Sequence, residues 1–264
     1  MKKFLEFTAI KIVPPRSYGL FHLSFFVLSI LLSFLIANKL RNISDRKNKK
    51  ILFFIGIFLL VIEVYKELFY YFIVNNGNYD FSVFPFQLCD IPMYICLIIP
   101  FVKNKKVEEG MYNFMVSYNL LGAFVTFFEP SSLLRPYLLM MLHGFLWHGI
   151  LMFLGIYIAL SGRCLKNKKD FITSTKVYVI LCSIALTLNV FLKNVTKGAM
   201  NAFYLGPSVS PVIIFRDISE RFGWFANLLV FVSTMTFGAY LVYMLAYNLE
   251  NKKSFSKDKI LRRT

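Results

Sequence analysis

Seven stretches of this chain are apolar over about 20 residues, the length at which a helix crosses the hydrocarbon core of a bilayer, and that feature leaves few folds open. They lie near 17–40, 49–75, 81–102, 110–128, 136–160, 174–192 and 224–247. In lipid only helices and closed barrels satisfy their own backbone polar groups. A run such as ILFFIGIFLLVIEVY, residues 51–65, does not alternate as a barrel strand must. The reading is therefore an all-α protein, a polytopic membrane helical bundle of about seven transmembrane helices.

Composition agrees: 57% of residues are hydrophobic and 30 are Phe, more than a soluble domain of 264 residues needs for its core. The amino-terminal segment MKKFLEFTAIKIVPPRSYG opens on two lysines, but Glu6 and Lys11 break its apolar part and Pro14 and Pro15 end it. It does not read as a cleavable signal peptide. Residues 1–16 are expected to form a short interfacial segment, 17–247 the seven-helix domain, and 248–264 a basic tail.

The formal charge of +16 raises the question of nucleic acid, and the distribution of that charge answers it. Loops 41–50, 103–109 and 161–176 and the tail hold nineteen Lys and Arg, whereas the alternate set holds nine. By the positive-inside rule the first set is cytoplasmic, which puts the amino terminus outside and the carboxyl terminus inside a cell membrane. The basic tail then marks orientation and contact with anionic lipid; no nucleic-acid partner is implied. The sequons at Asn42 and Asn194 read as chance matches, since Asn42 lies in a cytoplasmic loop.

Four cysteines, Cys89, Cys96, Cys164 and Cys182, have no zinc-like or disulfide-framework spacing, and no metal or cofactor is expected. Cys96 and Cys182 read as structural thiols. The connection 193–223 is the one long loop; it carries Gly198, Gly206, Pro207, Pro211 and the aromatic pair Phe203 and Tyr204. It reads equally as a lid or site-lining segment and as a surface loop on the membrane.

Ionisable groups inside a membrane are costly, by about 2.5 to 3.5 kcal/mol each on insertion scales, and so mark functional candidates. The second span holds Glu63, Lys66 and Glu67 on one helical face, either as a neutralised lock between helices or as the polar wall of a site. In the third, Pro85 suits a first helical position and Pro92 leaves the Leu88 carbonyl free, so Cys89 is expected just inside a helix start, beside Gln87 and Asp90. The fifth holds His143 and His148, about 140° apart around the helix, too far to share a metal easily. Gly144 and Gly149 there allow close approach of another helix. His22, at the start of the first span, is expected at the interface. Placed by depth, Cys89, His148, Glu63, Glu67 and Asn189 converge on one outward-opening cavity, an arrangement closer to a Cys–His acyl-transfer centre than to an ion path.

The segment PFQLCDIP, residues 85–92, resembles the P-x-H-L-C motif of the YwaF-like bacterial membrane proteins and their eukaryotic relatives, the transmembrane protein 164 family. The HG in FLWHGILMFLGIY, 59 residues after Cys89, is similar to the family's second motif. NVFLKNVTKGAMNAFYL resembles its third, through Asn189, Gly198 and Asn201. Two positions depart from the pattern: Gln87 stands for the usual His, and Ala202 for an aromatic, with Phe203 and Tyr204 just after it. The resemblance implies a membrane acyltransferase that moves acyl chains between phospholipids, with Cys89 as nucleophile and His148 as base. Gln87, Asn189 or Asn201 are then candidate oxyanion donors, and Glu63 or Glu67 candidates to orient the imidazole; His143 is the alternative base.

Two functions of different class remain open on the residues alone. One is a lipid acyltransferase or acyl hydrolase working through acyl-Cys89. The other is a multi-pass transporter or lipid-binding protein using Glu63, Lys66, Glu67 and Asp90; an inverted repeat would favour it, and none is visible.

Overall fold

The structure is a computed structural model, and it describes residues 2–207 and 213–261, with side chains to Glu250 except at 213 and 214. Part of the long loop, 208–212, and the end of the basic tail lie outside the described residues. The elements are α1 (Lys2–Thr8), α2 (Leu20–Leu40), α3 (Asp45–Phe69), α4 (Ile91–Ile98), α5 (Lys105–Phe114), α6 (Leu120–Phe128), α7 (Leu138–Leu160), α8 (Phe171–Phe191) and α9 (Ile213–Leu261). Among the described residues there is no strand; one isolated bridge joins Lys11 to Tyr137.

Among the described residues four helical stretches are long and apolar enough to cross a membrane: Leu20–Leu40, Leu138–Leu160, Lys168–Phe191 and Phe215–Glu250. The other three apolar stretches take different forms. α3 is long enough but carries Glu63, Lys66 and Glu67. α5 and α6 are two halves of one helix joined by a wide π turn, Met115–Asn119. Such a turn frees backbone carbonyls, and here the Asn119 amide donates to Met115 O at 3.1 Å and to Leu151 O of α7 at 3.0 Å.

The third stretch departs most from expectation. Residues 81–102 do not form one helix; α4 begins only at Ile91, with Asp90 as N-cap and Pro92 in its first turn, and continues as a 3₁₀ turn to Phe101. Pro85 is not a first helical residue, and Cys89 lies two residues before the helix rather than inside it. Proline explains the boundary. In the first turn of α4, Pro92 lacks only an N–H that no intrahelical carbonyl would have used, so the helix starts there without loss. Eight α residues and a 3₁₀ turn rise about 18 Å, short of the roughly 30 Å hydrocarbon thickness.

Lipid reverses the usual sorting of side chains. On α2 the buried positions are His22, Ser29, Ser33 and Ala37, which share one face, whereas Val27, Leu31 and Leu35 are more than half exposed. Small residues let helix backbones approach without a hydrophobic drive. Gly149 of α7 meets Ser29 of α2, and a Cβ on Gly56 of α3 would lie 2.9 Å from Leu97 N. The expected close approach of another helix is present at Gly149, against Ser29, whereas Gly144 meets Leu133 of the connection before α7. His22, expected at the interface, is 1% exposed and packs on Phe127 and Phe145, its Nδ1 accepting from Tyr18 N–H at 3.1 Å. The amino-terminal segment docks by Ile12 N–H to Pro136 O and Leu138 N–H to Ile10 O.

The tightest helix contact gives a test. A Cβ on Gly155 would sit 2.9 Å from Leu120 Cβ and 3.0 Å from Met115 O, at the π turn. Gly155→Ala is expected to destabilise the protein by about 1 to 3 kcal/mol. Gly122→Ala, whose Cβ would meet only Leu88 Cδ2 at 4.0 Å, should be neutral or slightly stabilising. Thermal unfolding in detergent reads both.

Candidate functional site

The broken third stretch leaves backbone groups that a helix would have paired, and side chains from three other elements take them up. Lys66 Nζ donates to Val83 O at 3.2 Å, Tyr94 O–H to Pro85 O at 2.6 Å, and Trp147 Nε1–H to Cys89 O at 3.0 Å. Asp90 Oδ2 accepts from Gln87 N–H at 2.6 Å, closing the turn 87–90 from inside. The Cys89 thiol points toward the other oxygen, Sγ to Oδ1 being 3.8 Å. Cys89 is thus held at its carbonyl by α7 and at its sulfur by its own neighbour.

A second irregular segment is locked against the first. Asn189, near the end of α8, accepts from Ala202 N–H at 2.7 Å and donates to Ala202 O at 2.9 Å, pairing both backbone groups of one residue. Gln87 does the same between neighbours: its Nε2 donates to Asn201 O at 3.0 Å and its Oε1 accepts from Phe203 N–H at 2.8 Å. Asn201 Oδ1 accepts from Gly206 N–H at 2.8 Å. These bonds hold Phe203 and Tyr204 at φ values of +55° and +56°, a region that non-glycine residues rarely occupy. The amides of Gln87 and Asn189, candidates for oxyanion donation, are spent on this loop and act as clamps.

Between the segments lies a cavity of about 610 Å³. Cys89 and Asp90, both histidines of α7, the Glu63–Lys66 pair, and Gln87, Trp147, Asn201 and Tyr204 of the locked segments all line it. The sequence-derived candidates therefore assemble, with two exceptions: Asn189 supports the wall from behind, and Glu67 lies off it, accepting from the Tyr79 hydroxyl at 2.8 Å. His143 and His148, expected to diverge, share the cavity because its wall covers a wide arc of α7.

The two histidines differ in readiness. His148 Nδ1 lies 2.8 Å from Gly144 O, and a carbonyl can only accept, so Nδ1 carries the proton and the neutral ring's Nε2 keeps a bare lone pair. His143 stacks on Trp147 with centroids 5.4 Å apart, and its Nε2 lies 3.8 Å from Glu63 Oε2. Glu63 itself is buried against Lys66, Oε1 to Nζ being 2.5 Å, with Glu67 Oε1 on the other side of the ammonium at 3.5 Å. Glu63 and Lys66 form the neutralised pair of the lock reading and both line the cavity, with Glu67 on the far side of the ammonium.

Sequence reading missed Trp147 and Tyr204 as site residues. Trp147 stands four residues after His143 and one before His148, a spacing that puts it on the arc between them and was legible. Tyr204 lines the cavity, its hydroxyl without a hydrogen-bond partner among the described residues. Burial pushes its phenol up to about 12, Cys89 and Asp90 add to the rise, and Arg135 opposes it. It stays a protonated donor at neutral pH. Among the described residues no group of three or more His, Cys, Asp or Glu is arranged to hold a metal ion. All four cysteines are free.

Fold and site together define a helical membrane protein with a polar chamber, lined by a cysteine and two histidines, set between a broken helix and a locked loop. The chain belongs to the TMEM164 family, whose sequence profile matches residues 17–249. No curated protein and no solved structure matches it.

The loop lock is testable by itself. Asn189→Ala leaves the N–H and C=O of Ala202 buried and unpaired, at about 1 to 3 kcal/mol for each group. The variant is expected to unfold at lower temperature than wild type and to be cut faster by protease between 193 and 207; unchanged behaviour in both assays would show that Gln87 alone holds the loop.

Proposed function

We propose that this protein is a multi-pass enzyme of the cell membrane that moves fatty acyl chains between phospholipids, or releases them to water, through a thioester on Cys89. The observation that carries the reading is the shared cavity: Cys89 and His148 line it together, and the Gly144 carbonyl fixes the tautomer of His148 that has a free Nε2. Family membership and the matching motifs support the same chemistry.

In this reaction His148 Nε2 takes the proton from Cys89 Sγ, and the thiolate attacks the ester carbonyl carbon of a lipid. The tetrahedral oxyanion collapses, the C–O bond breaks, and the leaving lysolipid oxygen takes the proton back from His148. The hydroxyl of a second lipid, or water, then gives its proton to His148 and attacks the thioester; the C–S bond breaks, and the Cys89 sulfur takes the proton back from His148. The Tyr204 hydroxyl is the donor best suited to the oxyanion, since the Gln87 and Asn189 amides are engaged; one good donor contributes about 3 to 4 kcal/mol. Lys66 compensates Glu63 on the wall and Glu67 beside it. That mutual compensation also weighs against a transporter, which needs a carboxylate free to exchange its partner.

The proposed arrangement has seven membrane-crossing segments. α3, the broken stretch with α4, and the joined pair α5–α6 supplement the four long apolar ones. The amino terminus is outside, the basic tail inside, and the Cys89 cavity in the outer half. A cysteine introduced at Ser132 should react with an impermeant thiol reagent in intact cells, and one introduced at Lys105 only after permeabilisation. The reverse pattern would move the cavity to the inner leaflet.

The chemistry has its own test. Purified protein given a phospholipid labelled in its acyl chain should acquire label that hydroxylamine releases. Cys89→Ala should abolish it, Cys96→Ala should retain it, and His148→Ala should slow it by about 100-fold or more. Acyl turnover that persists in Cys89→Ala would sink the covalent route and return attention to Glu63 and Glu67.

A further inference from the structure

Two cations line the cavity, Lys66 and Arg135, and their charges are committed differently. Lys66 is compensated twice over by Glu63 and Glu67, and it also holds the Val83 carbonyl. A ligand could recruit it only by breaking a buried ion pair, which is strongly unfavourable. Arg135 stands on the connection between α6 and α7. Its Nε–H donates to Ser132 O at 2.8 Å, which fixes the guanidinium plane and leaves the terminal nitrogens uncommitted. Among the described residues no carboxylate forms an ion pair with it. Arg135 is exposed while Cys89 is partly buried, so, among the described residues, the uncommitted cation of the lining stands at the outer part of the cavity whose deeper wall holds the thiol. Tyr204 lies within the electrostatic reach of both.

The lining between them is mixed, with Phe84, Leu133 and Met140 offering apolar surface beside the polar groups. A ligand that suits such a wall is amphiphilic, with its anionic group at the exposed end. A guanidinium held in one plane, with its terminal donors free, matches the paired oxygens of a phosphodiester.

We infer that Arg135 anchors the phosphodiester of a membrane glycerophospholipid, with the lipid's glycerol backbone directed toward Cys89. The placement of an ester at Cys89 rests on the acyl-transfer reading; the phosphate anchor does not. Arg135 is therefore a specificity-determining residue, selecting phosphate-bearing lipids over neutral glycerides of the same chains.

The test is lipid binding by the full chain carrying Cys89→Ala, so that no turnover intrudes. Phosphatidylcholine and diacylglycerol with identical chains serve as probes in detergent. Arg135→Gln should weaken phosphatidylcholine by at least about tenfold, the usual scale for a lost charge-assisted pair, and change diacylglycerol by less than about twofold. Retained diacylglycerol binding also reports an intact fold. Arg135→Lys should recover part of the phosphatidylcholine affinity, and Arg16→Gln, another exposed cation outside the cavity lining, should leave both lipids unchanged. Equal loss of both lipids, no loss of either, or the same loss in Arg16→Gln would overturn the anchor. So would binding of inorganic phosphate alone as tight as that of phosphatidylcholine, which would make this a site for free anions. Failure of the catalytic reading shows separately, as a wild-type protein that forms no thioester while Arg135→Gln still weakens phosphatidylcholine and spares diacylglycerol.

Discussion

A backbone carbonyl or N–H inside a membrane finds no water, so any stretch that leaves helical geometry must be completed by side chains. Residues 83–90 leave it, and their repair organises the site. Lys66 reaches Val83, Tyr94 reaches Pro85, Asp90 closes on Gln87, and Trp147 reaches Cys89. Each bond brings a polar side chain from α3, α4 or α7 to one place. The cavity is what remains between those side chains. Its polarity follows from the break in the helix rather than from a separate requirement.

The same logic explains the charges. Glu63, buried in the membrane domain, would be prohibitive alone, and Lys66 removes the penalty three residues away on the same face. Once paired, the ammonium still has a donor for Val83 and an approach to Glu67, which in turn holds Tyr79 of the following loop. These charges therefore tie α3 to the start of the broken stretch and to the loop before it. The loop at 201–206 is secured by amides instead, Asn189 and Gln87 supplying donor and acceptor together, so no net charge is added near the thiol. This rigidity keeps Phe203 and Tyr204 in a backbone region they would otherwise leave.

Much of this was legible in residue type. Runs of apolar residues announced the helices, Glu63 with Lys66 announced a buried pair by its spacing, and Cys89 with His148 stood out because neither belongs in lipid without a reason. Pro85 and Pro92 signalled an interruption, but a proline is equally at home in the first turn of a helix and in the loop before it, and local preference could not choose. The burial of His22 was hidden for a related reason: the aromatic neighbours that enclose it come from other helices and are far away in sequence. Gln87 and Asn189 were recognised as unusual, yet an amide that binds substrate and one that binds backbone look alike until the backbone is seen.

What the sequence determined by itself was the solvent, the helical class and the short roster of polar residues that the membrane domain had to accommodate. Hydrophobic length and the cost of an unpaired charge are local properties, and they act whatever the rest of the chain does. What only the tertiary structure decided was which of those residues face one another. The wide turn at 115–119, the positive φ at Phe203 and Tyr204 and the reach of Trp147 to the Cys89 carbonyl each depend on a partner far along the chain. Hydrogen bonds act over about 3 Å, and no spacing rule along the sequence can bring residues 58 or 116 positions apart to that distance; the packing of the helices does.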